Sequence, residues 1–407
     1  MTGRRVAVSG LGVICALGHD LTEVWNGLRG GRSGIAPIRS LDVSKLRFQN
    51  GAEVREYDPR SHFGPDLANL LDRFAQFALI AAREAVKDSC ITLTPGLRER
   101  TAVLCGSCLG GQISQDAGFV DLYLHTRDRV HPLTIPRTMA NAGASHISME
   151  LGTTGPALTI STACSSSNHA IGLAFRMVRS GEADLAIAGG SEAPFGFGLL
   201  KAWEAMRVIA PDTCRPFSLD RRGMVLGEGG AMLILEPLEA AKARGARIYA
   251  EIAGCGMSSD AHHITHPSAE GANRAMRAAL ADADIHPEQV GYLNAHGTGT
   301  PGNDPTETQA IRELFGAHAE RLAISSTKSM HGHALGAAGA LEAVATVMAL
   351  RCGILPPTMN FTKPDPLCDL DVIPNLARPA RVECALSNSF AFGGLNAVLA
   401  FRAVAQG

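Results

Sequence analysis

Apolar positions along the chain fall into two alternating rhythms. Short β-branched or apolar runs are separated by longer, Ala-rich amphipathic stretches. The short runs predict strands over Arg5–Gly10, Thr101–Cys105, Ala157–Ser161, Asp184–Ala188, Ile248–Gly254, Tyr292–Ala295, Leu322–Ser325, Glu383–Asn388 and Ala397–Phe401. The amphipathic stretches predict helices over Leu21–Leu28, Phe74–Ser89, Ala140–Leu151, Asn168–Arg179, Gly271–Ala283, Pro305–Leu314 and Ala337–Arg351. Strands and helices that alternate in this way predict an α/β fold. No low-complexity tract interrupts the pattern, and its gentlest seam is the charged stretch Glu239–Ala246.

The pattern also repeats. Leu158-Thr159-Ile160-Ser161-Thr162-Ala163-Cys164 leads into a helical stretch ending Arg179-Ser180-Gly181. Ala323-Ile324-Ser325-Ser326-Thr327-Lys328 leads through a His/Gly loop into one ending Arg351-Cys352-Gly353. Either this is ordinary β-loop-α punctuation, or the chain holds two related halves whose corresponding turns face one another.

Composition narrows the class. With 407 residues, 46% hydrophobic and 19% charged, the chain has the balance of a soluble globular protein with a large core. Its 44 glycines and many alanines allow helices to lie close on a sheet. A net charge of -2 argues against a basic surface for nucleic acid or an anionic membrane. Met1-Thr2-Gly3 leads directly into a strand-like run, with no signal-peptide pattern, and no long apolar stretch lacks polar interruption, so no transmembrane helix is expected. Ten scattered cysteines predict free thiols in a reducing, cytoplasmic setting. Cys105 and Cys108 form a C-x-x-C without a second ligand pair, which favours a buried structural role over metal or redox work. No cofactor is expected either. Gly10-Leu11-Gly12 fails the dinucleotide fingerprint because Cys15 stands at its third glycine, and Gly227-Glu228-Gly229-Gly230 lacks the Lys-Ser/Thr of a phosphate loop.

Candidate chemistry sits in the turns after strands. Cys164 falls between a strand and a helix with apolar residues at Ala170, Ile171, Ala174, Met177 and Val178. Unpaired N–H groups and the positive helix end favour a thiolate there, and the Cys164 N–H can face an acyl oxygen. The bland alternative is one more buried thiol. His296 lies in Asn294-Ala295-His296-Gly297-Thr298-Gly299-Thr300, and His333, with His331 as a competitor, in Lys328-Ser329-Met330-His331-Gly332-His333. Neutral imidazoles in such loops suit hydrogen bonding to a carbonyl, although loop histidines are also often merely solvated. Glu342, in an otherwise apolar helix, needs a partner, and Lys328 is a plausible one. The glycines of Phe390-Ala391-Phe392-Gly393-Gly394 predict a sharp turn, and its aromatics can wall a pocket or belong to the core.

These four motifs together, Thr162 to Ser167, Asn294 to Thr300, Lys328 to His333 and Asn388 to Gly394, resemble the β-ketoacyl-acyl carrier protein synthases of the elongating, Cys-His-His type. The resemblance runs from Val6 to Leu399, and Lys201 to Phe217 is similar to the nodulation-type ketosynthases. It implies the five-layered α-β-α-β-α thiolase fold in two similar halves, 1–245 carrying the cysteine and 246–407 the histidines. It implies Cys164 as acyl acceptor, His296 and His333 in decarboxylation and condensation, Lys328 and Glu342 in support, and Phe392 as a gate whose N–H joins that of Cys164 in the oxyanion hole. Leu109, Trp203 and Phe390 would line the acyl pocket. The implied partners are acyl- and malonyl-loaded acyl carrier protein, docking near Lys201 and Arg207, and a second subunit: another copy, or a cysteine-less chain-length factor. The reaction is a decarboxylative condensation in fatty-acid or specialised acyl biosynthesis; alternatively the chain is the catalytic subunit of a type II polyketide or polyene pathway. Ala391 stands where Gly is usual and His331 where Thr is usual, which bears on acyl specificity. A degradative thiolase would need a second cysteine in place of Phe390–Gly394, a starter-type synthase would carry Asn at His333, and a non-catalytic subunit would lack Cys164.

Overall fold

All nine predicted strands form, and a tenth joins them. The computed structural model describes residues 3–404, so the outermost residues of both expected halves lie outside the described residues. The strands of the main sheet are β1 (Val6–Cys15), β2 (Thr101–Gly106), β3 (Ala157–Ile160), β4 (Leu185–Glu192), β5 (Gly229–Pro237), β6 (Ala250–Ser259), β7 (Val290–Asn294), β8 (Ala323–Ser325), β9 (Cys384–Ala391) and β10 (Leu395–Arg402). β5 is the strand that the pattern missed. It is buried from Gly229 to Glu236, so it shows no alternation, and its entry glycines read as a loop.

The sheet order is β8-β7-β9-β10-β6-β1-β5-β4-β2-β3. Numbered within each half, the order from the outer edge inward is 3-2-4-5-1 on both sides. The pairings also match: parallel, parallel, antiparallel, antiparallel in each half. The halves meet where β1 runs antiparallel to β6 over Val6–Val8. The repeat seen in the sequence is thus a repeat of topology, joined by the short helix Leu238–Ala243.

Eight helices matter here: α1 (Leu21–Arg29), α2 (Arg73–Ser89), α3 (Ala142–Leu151), α4 (Ser166–Ser180), α5 (Phe197–Met206), α6 (Ala269–Ala283), α7 (Asn303–Phe315) and α8 (Ala338–Cys352). α2 and α3 cover the outer face of the first half, and α6 and α7 that of the second. α4 and α8 pack on each other and on strands of both halves, forming the middle layer of five, as the thiolase fold requires. Every residue of α8 from Ala338 to Leu350 is buried, as a helix apolar on all sides must be. Leu335–Cys352 is long and apolar enough to cross a bilayer, but 89% of it is buried inside the fold, so it is a core helix.

Small residues make this layering possible. A Cβ on Gly12 of β1 would stand 2.0 Å from the Ala81 carbonyl oxygen of α2, and one on Gly256 of β6 would stand 2.0 Å from that of Ala275 in α6. Each half therefore presses its outer helix onto its first strand at a glycine. The middle layer is stitched by polar contacts as well: Asn168 Nδ2 donates to the carbonyls of Ser387 (3.1 Å) and Ala397 (3.2 Å) across the halves.

Candidate active site

Equivalent turns of the two halves meet at the centre. Cys164 follows β3 and precedes α4; His333 follows β8 and precedes α8. His296 follows β7 and Phe392 follows β9, so all four side chains leave the carboxyl ends of strands, where open α/β sheets place their ligands. Cys164 Sγ lies 3.1 Å from His333 Nε2. The rings of His296 and His333 are 5.5 Å apart between centroids and nearly perpendicular, at 84°. Phe390 packs edge-on to His296 at 6.1 Å.

The hydrogen-bond network sets the tautomers. The Leu335 N–H donates to His333 Nδ1 at 3.2 Å, so the ring proton sits on Nε2, toward the sulfur. Lys328 Nζ lies 3.3 Å from His296 Nδ1 and donates to the His296 carbonyl at 2.7 Å, so this ring too carries its proton on Nε2. The third contact of the ammonium is the Glu342 carboxylate, and both members of this pair are fully buried. Burial, with the Lys328 charge second, holds both imidazoles well below their ordinary protonation range. They are neutral donors.

Cys164 departs from the sequence expectation. α4 begins at Ser166, and Cys164 sits two residues ahead of it, in a turn where Ala163 has φ 51. Burial pushes its thiol up to about 11, against the Lys328 charge and the backbone N–H groups of Phe392 and Cys164 itself, which favour the thiolate. Desolvation outweighs the helix end, so burial favours the protonated thiol. The backbone N–H groups of Cys164 and Phe392 both act on the sulfur.

A cavity of about 340 Å³ opens above this group. Cys164, His296, His333, Phe390 and Phe392 line it, with Trp203, Met206, Val208, Met224, Thr298 and Ile264. Trp203 and Phe392 stack at 6.2 Å and 27°. Leu109 does not line the cavity. It packs against the apolar cluster around Leu200, Leu226 and Leu335, and the buried Glu192 carboxylate accepts its N–H (3.3 Å) and that of Cys108 (2.8 Å). Gly393 (φ 85) and Gly394 (φ 69) make the expected turn, whereas Ala391 closes β9 and is not among the residues with positive φ, so its Cβ imposes no backbone strain. His331 does not compete for the sulfur. Its Nδ1 donates to the Gly332 carbonyl (2.8 Å) and its Nε2 accepts from the Thr327 hydroxyl (3.0 Å).

Sequence reasoning missed the carboxylates that hold the His296 loop. Glu307 accepts the N–H groups of His296 (2.9 Å) and Gly297 (2.8 Å), and Asp304 those of Phe217 (2.7 Å) and Gly299 (3.1 Å). Their spacing at the start of α7, just after a glycine-rich loop, was the available signal. It also missed the mouth loop. There His263 Nδ1 accepts the Thr265 N–H (3.1 Å) and lies 2.8 Å from His266 Nδ1, and the Gly393 N–H donates to the Ile264 carbonyl (2.7 Å), which ties this loop to the Phe392 turn. Of the two docking candidates, Lys201 is half-buried and engaged by Glu204 (2.7 Å), while Arg207 is exposed next to Met206 at the mouth. Cys105 and Cys108 face Ser191 and Glu192 respectively, and both are free thiols.

Known proteins match this arrangement along the whole chain. Residues 3–241 match the N-terminal domain of β-ketoacyl synthases and residues 249–362 the C-terminal domain. The chain is 49% identical to nodulation protein E of Rhizobium sp. (strain N33) over 405 residues, covering 98% of this chain and 100% of that protein. It is 43% identical to 3-oxoacyl-[acyl-carrier-protein] synthase 2 of Coxiella burnetii over 412 residues, 99% of this chain and 100% of that one. Among solved structures, the ishigamide ketosynthase/chain length factor superposes with a TM-score of 0.94 at 37% identity, covering 99% and 100% of the two chains. A type II polyketide ketosynthase solved with its acyl-carrier protein and a hexaketide superposes at 0.91 and 32% identity over the same shares. A thiol and two imidazoles at the strand ends of a duplicated sheet, with relatives above 40% identity end to end, place this chain in the β-ketoacyl synthase family.

Proposed function

We propose that the chain condenses an acyl group held on Cys164 with a malonyl unit on acyl carrier protein. The observation that carries this reading is the pairing of a thiol 3.1 Å from His333 Nε2 with two imidazoles whose Nδ1 atoms are already engaged. Cys164 sulfur attacks an acyl thioester, and its proton ends on the departing carrier thiol. Malonyl-carrier then enters, and the Nε2–H groups of His296 and His333 donate to its thioester oxygen. That holds the enolate formed as carbon dioxide leaves. The enolate carbon attacks the Cys164 thioester, whose oxyanion sits on the N–H groups of Cys164 and Phe392. Collapse expels the Cys164 thiolate and leaves a 3-oxoacyl chain, two carbons longer, on the carrier. Lys328 and Glu342 keep His296 in its tautomer.

The carrier docks at the mouth beside Arg207. The subunit has a partner, which the exposed apolar face of Tyr123 (79%), Leu124 (74%) and Ile135 (70%) supports, together with Leu158 on the edge strand β3. The chain divides as 1–245 and 246–407 and acts in the cytoplasm. Likeness to a ketosynthase/chain length factor favours a second reading, a heterodimer of a polyketide or polyene pathway. Activity restored to a silent lone protein by a cysteine-less homologue would select it. The primary test is intact-protein mass after incubation with acyl-carrier. The parent should gain one acyl group and Cys164→Ala none; an adduct that survives the substitution overturns the assignment.

A further inference from the structure

His331 is a buried imidazole that the proposed reaction does not touch, and it does not line the cavity. Burial, with the Lys328 charge second, pushes its protonation down to about 3, so the ring is neutral and each nitrogen has one role. Nδ1 faces a carbonyl, which only accepts, so it carries the proton and donates to Gly332 at 2.8 Å. Nε2 accepts from the Thr327 hydroxyl at 3.0 Å, and the Thr327 oxygen accepts the Asn294 amide at 3.4 Å. These bonds run in one direction, Asn294 to Thr327 to His331 to Gly332, so each polarises the next. They begin at the end of β7, two residues before His296, and end on the peptide that precedes His333. That peptide is held in an unusual setting. Gly332 has φ 69 and ψ -177, a region open essentially to glycine, and a Cβ there would stand 2.8 Å from that of Ala52. The next residue is bonded to the first half: the His333 N–H donates to the Val225 carbonyl (2.7 Å), and its carbonyl accepts the Gly227 N–H (2.9 Å).

We infer that His331 is a positioning residue: by holding the Gly332–His333 peptide in this orientation, its ring sets where His333 Nε2 stands relative to Cys164, and ties that position to the turn bearing His296. This rests on the reading of His333 as an enolate donor and adds the residue that aims it. An imidazole suits the task because its two nitrogens face different partners, one donating and one accepting, whereas a side-chain amide brings one end to one of them. Losing the donor leaves the buried Gly332 carbonyl unpaired and frees its peptide to turn, which moves the imidazole one residue on. No covalent step is added: His331 acts through His333, on the step in which the enolate forms.

The test compares His331→Asn with His331→Gln, two amides that each stand in for one nitrogen. Asn places an N–H where Nδ1 lies, toward the Gly332 carbonyl; Gln reaches toward Thr327 and leaves that carbonyl without its donor. The half-reactions are read separately, acylation of Cys164 by intact-protein mass with an acyl-carrier, and condensation with malonyl-carrier by product mass. His331→Asn should condense within about threefold of the parent and His331→Gln about 10–100-fold more slowly, with acylation in both within about threefold. Thr327→Val keeps the size and removes the hydroxyl that orients the ring; it should slow condensation about 3–10-fold, and Thr327→Ser should restore it. Parental condensation in His331→Gln overturns the inference. So do equal losses in the Asn and Gln variants, or losses of the same size in both half-reactions, which would mean that the ring only fills space. If neither His331 variant folds, Thr327→Val decides: a loss confined to condensation supports the inference, and a parental rate overturns it. Failure of the parent to acylate at Cys164 strikes the proposed function instead, and so is distinguishable from failure of this inference.

Discussion

At the scale of single residues, burial decides the chemistry. The Cys164 thiol, pushed up to about 11, holds little thiolate at neutral pH and gains it tenfold per pH unit. Alkylation of Cys164 by a neutral haloacetamide should therefore keep rising with pH past the value of an ordinary cysteine, and a plateau below pH 8 would refute the burial argument. The sign follows from the raised value: the proton is held more tightly in the site than in water, so rising pH adds nucleophile throughout the working range. His333 offers a second residue-scale prediction. In the proposed reaction a neutral donor serves the enolate more than the thiol, so His333→Ala should lower condensation by ~10²–10³-fold and acylation by much less. Equal losses in the two half-reactions, measured by product mass and by acyl-enzyme mass, would contradict this. The His331 ring turns to the Gly332 carbonyl, and Ala391 keeps an unstrained backbone.

At the scale of elements, α8 is both a core helix and a carrier of charge. Glu342 sits in the middle of its buried surface, and its carboxyl is raised to about 7, by burial first, with the Lys328 charge pulling the other way. Breaking such a pair leaves an uncompensated charge, so Glu342→Ala should cost about 3–5 kcal/mol in urea unfolding. Replacing both Lys328 and Glu342 by apolar residues of similar size should restore most of that stability, without restoring activity, because the His296 tautomer loses its partner. A double variant as unstable as the single one would show that packing, not charge, sets the loss. The turn between β9 and β10, which carries Phe392, is tied to the mouth loop that carries His263 by the Gly393–Ile264 hydrogen bond.

At the scale of the whole molecule, the duplicated sheet order makes a paired prediction. Gly12→Ala and Gly256→Ala each drive a methyl into a helix carbonyl at corresponding places, and each should cost at least ~1–3 kcal/mol. Unfolding midpoints that respond on one side only would argue against equivalent packing in the two halves. Much of this architecture was legible in one dimension. Apolar periodicity located nine of the ten strands of the main sheet, and the strand-turn-helix repeat around Cys164 and Lys328 anticipated the symmetry, because those signals are local. β5 was not legible, since a strand buried on both faces has no alternation to show, and neither was α5, which carries Trp203. The site divides in the same way. The sequence by itself determined which residue types stand there: a thiol, two imidazoles and a lysine in turns after strands, and a glutamate inside an apolar helix. Only the tertiary structure decided that Cys164 and His333 meet at 3.1 Å, which nitrogen of each ring carries its proton, that Leu109 packs against an apolar cluster and is not part of the cavity lining, and that the thiol is raised rather than lowered. Those outcomes depend on groups far apart in the chain and on the water excluded between them, and neither is encoded in the spacing of neighbours.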